Sequence, residues 1–158
     1  MKTLYLHVGT TKTATTSIQR FLEENRNILQ SHGYCFPNSL HRYPRANKRR
    51  NAHFLVAKVL DTDGTRNKQK EKEYFEEGLQ QVRDAFQIYD NVILTDESIW
   101  YALSYLKKSL LLELKKEADE HKYQIKVIVY LRRQDELLLS RWNQEVKQNF
   151  TSAAVMTC

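Results

Sequence analysis

The chain predicts an α/β fold, a parallel sheet flanked by helices, on three observations. Short apolar runs alternate with longer stretches of helical periodicity. The runs are nearly continuous in apolar residues, as strands buried on both faces are. Three polar stretches, Gly9 to Ser17, Thr95 to Glu97 and Arg132 onward, fall at the carboxyl ends of those runs. Ligands of open parallel sheets bind at that edge.

The elements follow in order. Thr3 to Val8 (TLYLHV) predicts a short buried strand closed by Gly9. Beyond it Ile18, Phe21, Leu22, Ile28 and Leu29 recur at helical spacing, with Gly33 as the stop. Tyr34 to Asn51 reads as irregular, with both prolines and a basic run, and AHFLVAKVL (Ala52 to Leu60) as a short helix before the turn DTDGTRN. From Lys68 to about Ile88 a charged helix carries Tyr74, Phe75, Leu79, Val82 and Phe86 on one side. Asn91 to Glu97 predicts a second strand with an acidic end, and Ser98 to Lys122 a helical stretch in one or two pieces. The third strand, Ile125 to Leu131, is mostly β-branched or aromatic. The helix after it has Asp135 and Glu136 in its first turn, favourable to its dipole. Residues 1–150 read as one α/β domain and 151–158 as an unstructured tail.

At 158 residues the chain can bury one sizeable core. Its 41% hydrophobic and 28% charged residues are ordinary for a globular protein. No apolar run approaches the roughly 18 residues of a membrane span, and the opening MKTLYLHVG is too short for a signal peptide. Cys35 and Cys158 lack metal-ligand spacing, so a cytoplasmic, reducing setting is expected. The net charge is +6, concentrated in His41 to Arg50 and Arg66 to Lys72. Such runs attract anions, but their plain reading is solvated loop. No nucleic-acid module is present in the pattern of residues.

The stretch LHVGTTKTATTS (Leu6 to Ser17) makes a poor core and a good anion cradle. It holds one glycine, one lysine and six threonines or serines. Strand, loop and helix N-terminus together aim unpaired N–H groups and the helix dipole at an anion. The frame G-x-x-x-x-G-K-[ST] of nucleotide hydrolases puts Gly9 first, Ala14 at the second glycine, Thr15 at the lysine and Thr16 last. The lysine is displaced to Lys12. A hydrolase needs it on the β- and γ-phosphates, so the loop resembles a phosphate loop whose cation has been moved and does not read as that of an ATP or GTP hydrolase.

KTATTS (Lys12 to Ser17) resembles the 5′-phosphosulfate loop of the sulfotransferases, Lys-x-Gly-Thr-Thr, with Ala14 in the glycine's place. A helix-like backbone tolerates that alanine and a left-handed one does not. The same family holds a 3′-phosphate with an arginine after a central strand and a serine eight residues later. VYLRRQDELLLSRW supplies Arg132 and Ser140 at that spacing, with Arg133 and Gln134 in place of the usual asparagine and proline. LTDES matches a serine–glutamate region, with Glu97 nearest the family's general base and Asp96 and His7 as other candidates.

The resemblance implies a P-loop-like sulfotransferase fold and sulfuryl transfer from 3′-phosphoadenosine 5′-phosphosulfate (PAPS) to a hydroxyl or amine, with a carbohydrate acceptor suggested. It implies catalytic roles for Lys12 and Glu97. Donor binding falls to Thr13, Ala14, Thr15, Thr16, Ser17, Arg132 and Ser140, and no metal is required. The partners it implies are small molecules, with no nucleic acid. Family members usually continue past this helix with further strands and a closing loop. The chain is therefore expected to be an incomplete, weak catalyst with an apolar patch open to self-association. Two other readings stand beside it: a degenerate nucleotide-binding module without turnover, and a nucleotide or small-molecule kinase.

Overall fold

The computed structural model describes residues 1–154 apart from 11, 45 and 106–108. Strand β1 (Thr3–His7) leads through helices α1 (Thr15–Glu24) and α2 (Arg26–Ser31) to β2 (Tyr34–Cys35). A 3₁₀ turn (His53–Leu55) and helix α3 (Lys68–Ile88) lead to β3 (Asn91–Thr95). Helices α4 (Ser98–Tyr105) and α5 (Ser109–Glu120) precede β4 (Gln124–Ile128), which feeds α6 (Gln134–Ala154).

All the strand pairings are parallel, in the order β2-β3-β1-β4. The most buried strand is central: Leu4 pairs with Val92 and Ile125, and Leu6 with Leu94 and Val127. From β1 the chain departs toward β2; from β3 it departs toward β4, on the other side. The two connections diverge between β1 and β3, which opens a crevice at their carboxyl ends. Leu4, Leu6, Val92 and Leu94 form the floor of the core, and Leu79, Val82 and Phe86 of α3 cover it together with Ile99, Leu110 and Leu114.

Local chemistry explains the boundaries. Asn67 caps α3 by accepting from the Lys70 amide at 2.8 Å. In α3, Gly78 lies flat against the Phe54 ring, where a Cβ would collide with it. Gly33, at φ +77°, turns the chain from α2 into β2.

Four departures from the expected elements have physical causes. The first helix is broken at Asn25, whose side-chain amide donates to the Phe21 carbonyl at 2.8 Å and competes with helical bonding. The two-residue β2 is too short to carry a periodic signal, so its pairing with β3 was hidden in a stretch read as irregular. The expected helix Ala52 to Leu60 is reduced to the 3₁₀ turn because residues 51 and 52 are spent on β3. The Asn51 side chain donates to Ile93 O (3.1 Å) and accepts from Thr95 N (2.8 Å), and Ala52 N donates to Thr95 O (3.3 Å).

The last departure concerns β4. Pairing stops at Ile128, short of the expected Leu131, because β4 is an edge strand held by β1 alone. Tyr130 and Leu131 are 52% and 75% exposed, and Leu138, Leu139 and Trp142 on α6 are about two-thirds exposed. The sheet is not covered on both faces at this edge. Helix α6 continues to Ala154, into the stretch read as a tail, whose residues 155–158 lie outside the described ones. No helix among the described residues is long and apolar enough to cross a membrane.

Candidate functional site

Residues 8–14 carry the chain from the end of β1 over the crevice to α1. Gly9 is required there: a Cβ at this position would overlap the Thr15 methyl and lie 3.1 Å from His7 Nε2. Lys12 and Ala14 both adopt left-handed backbone, at φ 67° and 61°, while Thr13 between them does not. Successive N–H groups in such an alternation face one side and form an anion-binding concavity. Ala14 therefore occupies the conformation that glycine favours, and each such non-glycine residue costs about 1–2 kcal/mol.

The threonines do not spend their hydroxyls on capping α1. Ala14 stands at the N-cap with no side-chain cap bond. Thr13 donates to the Thr10 carbonyl at 2.6 Å, and Thr15, buried, donates to Glu97 Oε2. Thr16 and Ser17 are exposed. The amides of the first turn lack intrahelical acceptors, which leaves them and the helix dipole facing outward over the loop.

Arg132 and Ser140 reach the same loop from the other side. Arg132 Nη1 donates to the Lys12 carbonyl at 3.3 Å, and its Nε donates to Glu136 at 3.2 Å. Thr10 donates to the Tyr130 carbonyl at 3.3 Å, a second tie between loop and strand end. Lys12, Arg132, Ser140 and Lys147 line one cavity of about 400 Å³, together with Glu136 and Asn143. Its size lies in the small-ligand range, and its charge favours an anion. A larger groove of about 940 Å³ lies between α3 and α5, with mixed charges and no part of the loop.

Across the crevice, the end of β3 is an ion cluster. Asp96 is fully buried. Its Oδ1 accepts from Arg50 Nη2 (2.6 Å), Arg50 Nε (3.0 Å) and the Ser98 amide (2.6 Å), and its Oδ2 from His53 Nδ1 (2.6 Å). Burial alone would push this carboxyl up, but the His53 hydrogen bond and the Arg50 charge outweigh it and hold it below the ordinary carboxylate value. Arg50 also faces Glu97, Nη1 to Oε1 at 3.7 Å. His7, 3% exposed, bonds Thr95 Oγ1 through Nδ1 at 2.8 Å, and its Nε2 meets no partner among the described residues. Burial pulls its imidazole below the ordinary value against an opposing push from Glu97.

The structure thus gathers Lys12, Arg132 and Ser140 around one cavity and joins Thr15 to Glu97. Asp96, a candidate base by sequence, is committed to four donors and does not face outward. Arg50 and His53 were missed. They sit in and beside a basic run whose plain reading was solvated loop, yet the Arg50 side chain is only 11% exposed. Arg49 likewise pairs with Glu23. The spacing Arg50–Asn51–x–His53 carries no signal without the strand end it folds against. Among the described residues no group of three or more His, Cys, Asp or Glu side chains is arranged to hold a metal ion. No protein-family model matches the chain, and no curated protein matches it.

Proposed function

We propose that the protein binds a 3′-phosphorylated adenine nucleotide and transfers a sulfuryl group from PAPS to a hydroxyl or amine acceptor, with a carbohydrate as the acceptor class to test first. The observation that carries this reading is the shared cavity of Lys12, Arg132 and Ser140 beside the N-terminus of α1. PAPS, when bound, supplies an activated sulfuryl group on its 5′-phosphate.

The residues present fit such a donor. The concave backbone at Lys12 to Ala14 and the first-turn amides of α1 suit the 5′-phosphosulfate, with the Thr16 and Ser17 hydroxyls exposed beside them. Arg132 offers a planar fork of donors and Ser140 a hydroxyl for the 3′-phosphate. The Lys12 ammonium offsets the charge that grows on the bridging oxygen as the sulfur–oxygen bond lengthens. Glu97, joined to Thr15 at the head of α1, has a carboxylate able to hold or deprotonate an incoming group.

Calorimetric titration tests the donor site. Adenosine 3′,5′-bisphosphate should bind roughly tenfold or more tightly than ADP, since a charge-assisted phosphate contact contributes about 1.5–3 kcal/mol. The Arg132→Ala variant should lose that preference. Equal affinities in the parent chain overturn the assignment, and magnesium-dependent binding of ATP in preference to the bisphosphate would point to a kinase instead.

A further inference from the structure

At the foot of the loop that leads into α1 lies a titratable group that the donor site leaves unused. His7 ends β1 and is 3% exposed. Its Nδ1 lies 2.8 Å from Thr95 Oγ1, which also accepts from Gln19 Nε2 at 3.5 Å. Its Nε2 is buried and meets no partner among the described residues. That nitrogen faces the loop: a Cβ at Gly9 would lie 3.1 Å from it and overlap the Thr15 methyl. Gly9 follows β1 closely and Thr15 begins α1, so the ring sits where the two ends of the loop meet. The ring also packs edge-on against Tyr130, with centroids 5.6 Å apart, and the Tyr130 carbonyl accepts from Thr10 of the same loop. A buried nitrogen without a partner is costly to keep. Here it points at the segment whose backbone forms the anion-binding concavity.

The surroundings suit either charge state of the ring. A hydroxyl donates to Nδ1 of a neutral imidazole or accepts from Nδ1–H of an imidazolium, so Thr95 serves both. In the protein alone burial prevails and holds the imidazole below its ordinary value, while Glu97 pushes the other way. Glu97 is bonded by Thr15 and faced by Arg50 at 3.7 Å. Asp96, whose amide donates to the His7 carbonyl at 3.1 Å, is held by Arg50 and His53. From α1 the neighbours are the uncharged Thr15 and Gln19, and from beyond β4 the phenol of Tyr130. An oxyanion on the loop changes this balance. Negative charge near a ring in a low dielectric favours its protonated form, and the attraction needs no direct contact.

We infer that His7 is a proton-linked support of the anion cradle, taking up a proton from solvent when an oxyanion seats on the loop and releasing it when the anion leaves. Its charge acts through the loop, and no proton passes from it to a substrate. This inference rests on the anion-binding part of the reading above and not on sulfuryl transfer. The bound form keeps the proton to higher pH than the free form. Affinity for an oxyanion therefore rises as the pH falls between the two midpoints and is level outside them.

Inorganic sulfate and the full chain test the inference, since sulfate keeps its double charge throughout the range used. NMR follows the His7 ring from pH 8 down to pH 4.5 in sodium sulfate and in sodium chloride of equal ionic strength. The exposed His32 is the internal reference, and the amides of residues 12–17 report binding. Sulfate should raise the His7 midpoint by about one unit and leave that of His32 in place. Sulfate affinity should rise about tenfold as the pH falls through the window. His7→Gln, which does not titrate, should bind sulfate with one affinity across it. A His7 midpoint that stays put while the loop amides respond overturns the proton link and leaves the cradle standing. A His7→Gln chain that keeps the parent's pH dependence overturns it too, and where that variant does not fold the parent titration decides alone. Loop amides that ignore sulfate at every pH remove the cradle itself, and the proposed donor site with it.

Discussion

The Thr15 hydroxyl donates to Glu97 Oε2 and ties the first turn of α1 to the end of β3 across the crevice. Threonine here serves the neighbouring strand and not its own helix. Thr15→Val keeps the shape and removes the donor. A double-mutant cycle with Glu97→Gln should return a coupling of about 1 kcal/mol in urea unfolding. Strict additivity would show that the bond contributes nothing to stability.

Ala14 occupies left-handed backbone at φ 61°. Glycine adopts that conformation without the Cβ clash, although it adds freedom to the unfolded chain. The balance favours glycine by about 1 kcal/mol. Ala14→Gly should therefore raise unfolding free energy by that amount, measured by urea denaturation. A destabilised variant would contradict the left-handed turn.

Lys12→Ala should separate binding from chemistry. The ammonium matters most when the bridging oxygen becomes negative, which is a transition-state interaction. Transfer should fall by about 10²–10³-fold, while affinity for adenosine 3′,5′-bisphosphate changes far less. Initial rates and calorimetry on the same preparations provide the comparison. A variant that transfers within a few-fold of the parent removes Lys12 from the catalytic assignment.

His7 gives a pH signature. Burial depresses its folded pKa below the ordinary 6.5, with Glu97 pushing the other way. The unfolded chain then binds the proton more readily than the folded one. Stability from this group is full above pH 6.5 and falls as the pH drops toward the depressed folded value. Urea unfolding at pH 7.5, 6.5, 5.5 and 5.0 should show that decline in the parent and a flatter profile in His7→Gln. Parallel profiles would mean that His7 is as easily protonated folded as unfolded.

What was legible in the sequence divides along a physical line. The helix from Lys68 to about Ile88 was legible because its charged face and its apolar stripe agree over the whole length of Lys68–Ile88. The β1 and β3 runs and the loop between β1 and α1 were equally plain, since strand signals and hydroxyl-rich turns are local. The β2 pairing, the one-sided β4 edge and the His53–Asp96 contact were not. Each depends on which segment lies beside which, and a sequence window does not contain its neighbour. Arg50 shows this most clearly: its charge suggests solvent, and only Asp96, brought from β3, makes it a buried partner.

The parallel pairing of β1 also sets a timetable for synthesis. His7 meets Thr95 only 88 residues later in the chain, and Thr3 meets Gln124 only after 121. At about 5–20 residues per second, the central strand leaves the ribosome and waits about 6–24 seconds for its second neighbour. Leu4 and Leu6 lie open through that interval. Of the four strands the earliest made is thus the one whose second neighbour comes last, and its two leucines stay unflanked on that side until β4 emerges.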